Sequence, residues 1–313
     1  MSDATRAGAA DPIRRTYEIE DPTNLYLIHP ISAALVPLFA KSGISPNMVS
    51  LLGMGCGILA GVAYHFYTST ACAVLGFLLM LAWHVMDGAD GQLARLTKRY
   101  SELGKILDGI CDYVTFTAVY VGLALAMSRF MGGWAWALVA FSGVAHAVQS
   151  AAYEMQRQDY NFWGWGRASA ALPLLDAKPK GIAQHLHHLY ARVQLWASGG
   201  AAEFHRVFAA ILTSKPRQEA ALREAYRARF APVTRRWGVL CANYRTLGLF
   251  LAALVKLPVL YFVFEIIGFS AILIVLLEAQ KVQYHAFLEQ IGQRTGSGAV
   301  SYTHLRAHET VLD

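Results

Sequence analysis

The sequence holds little charge. Asp, Glu, Lys and Arg make up 15% of its 313 residues, whereas hydrophobic residues make up 55%. A soluble globular domain is about a quarter charged, so this balance disfavours a soluble protein and favours a chain that spans a membrane. The formal net charge is +6. We interpret this surplus as loops that face anionic membrane lipids, and we expect no nucleic-acid partner.

Cysteines are also few. Cys56, Cys72, Cys111 and Cys241 lie in or beside apolar stretches without paired spacing. This pattern argues against a disulfide framework or a zinc site and indicates small packing residues. The N-terminal stretch before Asn24 contains no apolar run. We therefore expect no cleavable signal peptide, and the first apolar spans must direct the chain to the membrane.

Six segments are apolar over the length of about 20 residues that a helix needs to cross a bilayer. They are predicted at Pro46–Tyr67, Thr70–Gly91, Lys105–Ser128, Gly133–Met155, Trp237–Val255 and Val259–Ala279. The sequence therefore predicts an all-α polytopic membrane protein.

The distribution of Lys and Arg predicts its orientation. With the N-terminus inside, the outer loops hold only Arg129 and Lys256. The inner segments hold Arg14, Arg15, Lys41, Arg95, Lys98, Arg99 and a later basic stretch. Positive loops stay inside, so we expect both termini on the cytoplasmic side of an inner (cytoplasmic) membrane.

Two further regions lie outside the spans. Asn24–Ala40 is apolar but broken by two prolines, and we interpret it as an interfacial helix; a seventh span is the alternative. Gln156–Arg236 is long and basic, and we interpret it as a cytoplasmic helical insertion. Helices are predicted in it at Gly181–Ala197, Ala201–Leu212 and Arg217–Phe230. A solvated appendage without function is the alternative.

The expected organisation follows from these regions. It comprises a disordered tail over 1–23, the interfacial helix and spans one to four over 24–155, the insertion over 156–236, spans five and six over 237–290, and a tail over 291–313. Residues 300–313 resemble a translated adapter scar rather than native protein, so they carry no functional argument.

Four aspartates lie where the second span ends and the third begins. Asp87 and Asp90 are three residues apart and share one helix face, and Asp108 and Asp112, four apart, share another. Carboxylates at membrane depth are costly unless they bind something cationic. If the two faces oppose each other, four carboxylates converge. Ordinary solvated acids are the alternative.

Such a cluster predicts a metal site. Carboxylates without His or Cys suit Mg²⁺ or Mn²⁺ rather than zinc, and two ions would clamp a diphosphate. Gly91, Ala94 and Gly104 leave room for a nucleotide to approach the backbone. Arg95 supplies a fixed cation for phosphate oxygens. A divalent-cation transporter is a more distant alternative, disfavoured because the acids cluster at one membrane face.

This stretch resembles the signature of the CDP-alcohol phosphotransferases, D-x2-D-G-x2-A-R-x8-G-x3-D-x3-D. Every fixed position matches: Asp87, Asp90, Gly91, Ala94, Arg95, Gly104, Asp108 and Asp112. The resemblance extends over roughly Asn24–Arg157 and the last two spans.

The resemblance implies a role for each of these positions. Asp87, Asp90 and Asp108 would hold two divalent ions, with Asp112 as a shared ligand or neighbour and as the general base. Asp90, Gly91, Ala94, Arg95 and Gly104, helped by Asn47, would bind the nucleotide.

It also implies a reaction. A phosphatidyl group would pass from CDP-diacylglycerol to a small polar alcohol (inositol, inositol phosphate or glycerol phosphate), and CMP would leave. A soluble CDP-alcohol with a lipid acceptor is the alternative. We expect membrane lipids as partners, and a homodimer.

Candidates for acceptor binding are weaker. His146 and Gln149, three residues apart in the fourth span, either contact the acceptor or form hydrogen bonds between helices. Arg245 either binds an anionic acceptor or extends to the membrane surface. Glu265 is predicted too near the outer side to join the site. The histidines at 185, 187 and 188 are interpreted as a solvated helix face.

Overall fold

A computed structural model of the chain describes residues 16–99, 102–167 and 201–294. Within these ranges the chain is helical and contains no strand. The α-helices of the described residues are α1 His29–Lys41, α2 Pro46–His65, α3 Thr70–Thr97, α4 Glu102–Met131, α5 Trp134–Trp165, α6 Ala201–Ser214, α7 Glu219–Arg236, α8 Ala242–Leu254, α9 Pro258–Phe264 and α10 Ser270–Arg294. Single π-helical turns cover Asn24–Ile28 and Glu265–Phe269.

The prediction of an all-α polytopic membrane protein is confirmed. Six stretches of the described residues are long and apolar enough to cross a membrane: Pro46–His65, Thr70–Thr97, Ile106–Met131, Trp134–Trp165, Pro216–Leu254 and Pro258–Gly292. The predicted interfacial segment is helical, and the predicted helices at Ala201–Leu212 and Arg217–Phe230 correspond to α6 and α7. The helix predicted at Gly181–Ala197 lies outside the described residues.

Several helices run past their predicted ends. α3 continues beyond Gly91 to Thr97, and Lys98 ends it in the left-handed region with φ 54°. α5 continues beyond Met155 to Trp165, and Gly166 follows with φ 67°. Helical hydrogen bonding therefore outlasts the apolar run that defined each span.

The chain divides into two compact units. The first comprises Met1–Glu154 and Arg235–Leu273, and the second comprises Met155–Thr234 and Ile274–Asp313. The four aspartates belong to the first unit.

Glycines along α2 let it pack closely against its neighbours in the first unit. Gly53, Gly57 and Gly61 are four residues apart and lie on one face of the helix. A Cβ added at Gly57 would overlap the Thr115 side chain, and one added at Gly61 would overlap the backbone of Ala118. α2 thus approaches the backbone of α4 at a distance that larger residues would prevent.

α1 packs against α3. The hydroxyl of Ser32 donates a hydrogen bond to the carbonyl of Val85 at 2.8 Å. A Cβ added at Gly88 would lie 2.7 Å from the same hydroxyl oxygen. Gln92 Nε2 donates to the carbonyl of His29 at 3.3 Å. These contacts involve Val85, Gly88 and Gln92, which lie on one side of α3. Asp87 and Asp90 lie on the opposite side, so α1 packs against the face of α3 that does not carry the aspartates.

The second unit has an aromatic core that joins α6, α7 and α10. Phe204 and Phe208 of α6, Tyr226 and Phe230 of α7, and Tyr284 of α10 are all buried. The rings of Phe204 and Tyr284 stack with their centroids 4.2 Å apart, and those of Tyr226 and Phe230 stack at 4.5 Å. This packing gives the predicted insertion a core of its own.

Two basic residues of α7 cap the C-terminus of α5. Arg223 Nη1 donates to the carbonyls of Phe162 and Trp163 at 3.0 and 2.7 Å, and Arg227 Nη1 donates to that of Gly164 at 2.8 Å. The Arg227 guanidinium also lies 4.2 Å from the centre of the Trp165 ring. The last carbonyls of a helix need such partners, so these two arginines hold the second unit together.

Candidate active site

Three aspartates converge between α3 and α4. Asp87 and Asp90 extend from the C-terminal half of α3, and Asp108 extends from the first turns of α4. One carboxylate oxygen from each of the three lies within 4.8 Å of the other two. Asp90 is buried, whereas Asp87 and Asp108 are half-buried. Three carboxylates at this spacing repel one another unless a cation lies between them.

The aspartates line a recess in the first unit. The recess is lined by Ser50, Trp83, Asp87, Asp90, Asp108, Cys111 and Asp112. Asp112 belongs to this lining, four residues after Asp108 on α4, but it is not part of the group of three closest carboxylates. The recess therefore holds three mutually close acids and a fourth beside them.

Ser50 fixes one of these acids, and the sequence reasoning missed it. Its hydroxyl donates a hydrogen bond to the carboxylate of Asp90, across from α2 to α3. Ser50 is 7% exposed, so the bond is shielded from water. The signal that points to it is a polar residue one helical turn after Asn47 in an otherwise apolar span.

The donor set fits a hard divalent cation. The three converging ligands are all carboxylates, which Mg²⁺ and Mn²⁺ prefer. Among the described residues, Asp87, Asp90 and Asp108 form the one group of three or more His, Cys, Asp or Glu side chains that lie close enough together to hold an ion. Asp90 is additionally oriented by Ser50. A hydrogen-bonded ligand of this kind is typical of metal sites.

The remaining candidates for nucleotide binding lie on neighbouring turns of the same helices. Gly91, Ala94 and Arg95 follow the acids along α3, and Gly104 comes one turn before Asp108 in α4. A Cβ added at Gly91 would lie 3.4 Å from Arg95 Nη1. Asn47 is exposed at the start of α2, three residues before Ser50.

The acceptor candidates gather elsewhere in the first unit, around Glu265. Arg245 forms a salt bridge with Glu265, and its Nη2 donates to Gln149 Oε1 at 3.0 Å. Gln149 Nε2 donates to the carbonyl of Glu265 at 2.9 Å and to Ser270 Oγ at 3.0 Å. His146 Nδ1 lies 3.3 Å from Glu265 Oε1.

His146 and Gln149 were predicted either to contact the acceptor or to form hydrogen bonds between helices, and the hydrogen bonds are present. Arg245 has 0% of its surface exposed, so it is buried rather than extended to the membrane surface. A contact of these residues with an acceptor stays a prediction. The histidines at 185, 187 and 188 lie outside the described residues.

Comparison with known proteins agrees with the signature. The sequence model of the CDP-alcohol phosphatidyltransferase family matches residues 43–202, about half of the chain. This match contains all four aspartates. The match reaches into the 156–236 segment and ends before the last two spans. The resemblance drawn from the motif instead covers roughly Asn24–Arg157 and includes the last two spans.

Curated relatives match over shorter stretches. Archaetidylinositol phosphate synthase of Pyrococcus horikoshii is 31% identical over 86 residues, which is 28% of this chain and 44% of the relative. Inner membrane protein YnjF of Escherichia coli is 29% identical over 143 residues, 42% of this chain and 65% of the relative. An uncharacterized protein of Aquifex aeolicus is 35% identical over 94 residues, 29% of this chain and 46% of the relative.

The chain thus spans about half to two thirds of the length of these relatives. Its family rests on the domain match, on the acidic signature within it and on the converging carboxylates of α3 and α4. The chain belongs to the CDP-alcohol phosphatidyltransferase family.

Proposed function

We propose that this protein transfers a phosphatidyl group from CDP-diacylglycerol to a small polar alcohol with release of CMP. The observation that carries the proposal is the recess in which Asp87, Asp90 and Asp108 converge beside Asp112. The recess is built by apolar helices long enough to cross a membrane, where a lipid-linked donor resides. Family membership supports the same reaction class.

The carboxylates would hold two divalent ions, Mg²⁺ or Mn²⁺, with Asp87, Asp90 and Asp108 as ligands and Asp112 as a shared ligand or close neighbour. When bound, such ions neutralise the charge of the diphosphate and of the transferring phosphoryl group. Ser50 holds the Asp90 carboxylate in place through its hydrogen bond.

Asp112 would act as the general base. Its carboxylate accepts the proton of the acceptor hydroxyl as the hydroxyl oxygen forms a bond to the phosphorus distal to cytidine. The bond between that phosphorus and the bridging oxygen breaks, and the bridging oxygen leaves with CMP. Asp112 lines the same recess as the three converging acids, which supports this role.

The other signature residues would bind the nucleotide. Gly91, Ala94 and Gly104 lie on turns adjacent to the acids, where small residues let a cytidine approach the backbone. Arg95 would pair with phosphate oxygens. Asn47 would contact the nucleotide from the start of α2.

Inositol, inositol phosphate and glycerol phosphate are the proposed acceptors. The Pyrococcus relative is named archaetidylinositol phosphate synthase, and that name supports an inositol-type acceptor. We further propose that the protein lies in the cytoplasmic membrane as a homodimer, with the recess and both termini on the cytoplasmic side.

Release of CMP from different donors tests this proposal. Purified protein in detergent would receive radiolabelled CDP-diacylglycerol, CDP-choline or CDP-inositol, each with inositol, inositol phosphate, glycerol phosphate or diacylglycerol as acceptor. We expect CMP and a labelled lipid product from CDP-diacylglycerol with one of the polar acceptors. Turnover of a soluble CDP-alcohol with diacylglycerol would reverse donor and acceptor, and absence of CMP with every pair would overturn the proposal.

A further inference from the structure

A charged pair, Arg245 and Glu265, lies among the membrane-spanning helices of the first unit, and each residue has 0% of its surface exposed. The Arg245 guanidinium donates to Glu265, to Gln149 Oε1 at 3.0 Å and to the carbonyl of Leu240 at 3.3 Å. Each of its three nitrogens therefore has a partner within the protein. Ionised side chains inside a membrane are costly and mark functional positions.

Glu265 connects several helices through its carboxylate. One oxygen accepts hydrogen bonds from the hydroxyls of Tyr120 in α4 and Ser142 in α5. The other accepts one from Tyr261 in α9 at 3.0 Å. His146 Nδ1 in α5 lies 3.0 Å from the Tyr120 hydroxyl. A buried network with this many satisfied groups fixes the relative positions of its helices.

Two contacts connect this network with α3 and α4, the helices that carry the four aspartates. The residue after Arg245 is Thr246, and its hydroxyl lies 2.9 Å from Nε2 of His84, both side chains being buried. His84 is three residues before Asp87 on α3, so the contact is made one turn from a proposed ligand.

The second contact runs through aromatic rings. The Phe116 ring in α4 lies 4.6 Å from the ring of His146 and 5.4 Å from that of Trp83, which lines the recess. Phe116 is four residues after Asp112. The network therefore touches α3 and α4 one turn away from the carboxylates of each helix.

We propose that Arg245 and Glu265 are positioning residues of the transfer reaction, which set the placement of α3 and α4 and thereby the spacing of the carboxylates. In this role Arg245 acts through its hydrogen bonds to Glu265, Gln149 and Leu240 and needs no contact with the acceptor. The proposal rests on the function proposed above and adds a role for this pair.

Breaking the pair and removing it have different consequences. Loss of one charge leaves the other buried and uncompensated, whereas replacement of both by uncharged residues of similar size leaves no buried charge. A positioning pair can therefore be tested by rescue. An arginine that binds an anionic acceptor is not rescued by a second substitution at Glu265.

The experiment compares Arg245→Met, Glu265→Gln and the double variant R245M/E265Q, in which the amide at position 265 still forms hydrogen bonds with the hydroxyls of Tyr120, Ser142 and Tyr261. Binding of Mn²⁺ alone is measured by electron paramagnetic resonance, and CMP release gives kcat and the KM for the acceptor. We expect each single variant to bind Mn²⁺ about ten-fold more weakly and to lose about a hundred-fold in kcat, with little change in acceptor KM. The double variant should recover most of both losses.

The exposed pair Lys281–Glu278 in α10, whose charged atoms lie 2.7 Å apart, supplies the matched control. The double variant K281M/E278Q should leave Mn²⁺ binding and kcat unchanged. Single variants that raise only the acceptor KM, together with a double variant that is no better, would overturn the proposal and assign Arg245 to the acceptor.

Thr246 provides a milder test if the single variants fail to fold. Thr246→Val removes the hydroxyl that contacts His84, and Thr246→Ser retains it. We expect weaker Mn²⁺ binding and lower kcat in the first and near wild-type values in the second; equal values in both would contradict the proposal. Wild-type protein that binds Mn²⁺ but releases no CMP would refute the proposed reaction, while Mn²⁺ binding by the variants would still decide the positioning role.

Discussion

The hydroxyl of Ser50 donates a hydrogen bond to the carboxylate of Asp90, which joins α2 to α3 at the recess. The contact depends on the close approach of α2 to its neighbours. A Cβ added at Gly53 would lie only 3.0 Å from Cβ of Met86, one turn before Asp90 on α3. A helix that carries no acidic residue thus orients one of the converging carboxylates.

Ser50→Ala should weaken metal binding without unfolding the protein. Loss of a hydrogen bond that orients a metal ligand typically lowers affinity about 10–100-fold. The measurement is the Mg²⁺ concentration that gives half-maximal CMP release. Ser128→Ala is the control, because the Ser128 hydroxyl bonds to the Leu125 carbonyl of its own helix at 2.8 Å. Equal metal dependence in the two variants would remove Ser50 from the site.

Asp112→Asn should spare donor binding and reduce turnover. A positioned proton acceptor contributes about 10²–10⁴-fold to rate, and the amide cannot accept the proton of the hydroxyl. Single-turnover CMP formation and binding of labelled CDP-diacylglycerol separate the two effects. If Asp112→Asn retained about a tenth of the wild-type rate of CMP formation, the general base would have to be another group.

Gly57→Ala should destabilise the first unit. The new methyl would overlap the Thr115 side chain, and overpacking of this kind costs about 1–3 kcal/mol. Gly55→Ala is a close control on the same helix, since a Cβ there meets nothing within 4 Å, and it should cause no loss. Thermal unfolding in detergent compares the two. Equal stability of both variants would contradict the close approach of α2 and α4.

Arg227→Ala should loosen the second unit by about 2 kcal/mol, because it removes a charged donor from the C-terminus of α5. Arg206, whose side chain is 78% exposed, supplies the control, and Arg206→Ala should change stability by less than about 0.5 kcal/mol. Limited proteolysis of the two variants measures the difference. Identical cleavage rates would show that the cap contributes nothing.

The helices and the acidic signature were predictable because both follow from local patterns. Apolar runs of spanning length predict the helices, and the three- and four-residue spacing of the aspartates places them on helix faces. Helix ends were less predictable. Hydropathy falls at Gly91 and Met155, but the helical hydrogen bonds continue until a residue with positive φ, Lys98 or Gly166, ends each helix.

Partners between distant segments were not predictable from one sequence. The sequence predicts Glu265 near the outer side of the membrane, away from the catalytic recess. Its pairing with Arg245 depends on how the last helices pack. Arg227 was one of several arginines in a basic stretch, and its partner at Gly164 lies far away in sequence. From composition alone, both arginines would be expected to lie on a solvated surface. Only the packing of the helices shows that Arg245 belongs to a buried ion pair and that Arg227 caps a helix.

The most direct measurement is metal-dependent release of CMP from radiolabelled CDP-diacylglycerol. Wild-type protein stripped with EDTA should release none and should recover with Mg²⁺ or Mn²⁺ but not with Zn²⁺. Asp87→Ala and Asp108→Ala should neither bind the donor nor release CMP, because the diphosphate is held mainly through the ions. CMP release that persists in EDTA or in Asp108→Ala would contradict a metal-dependent transfer held by these aspartates.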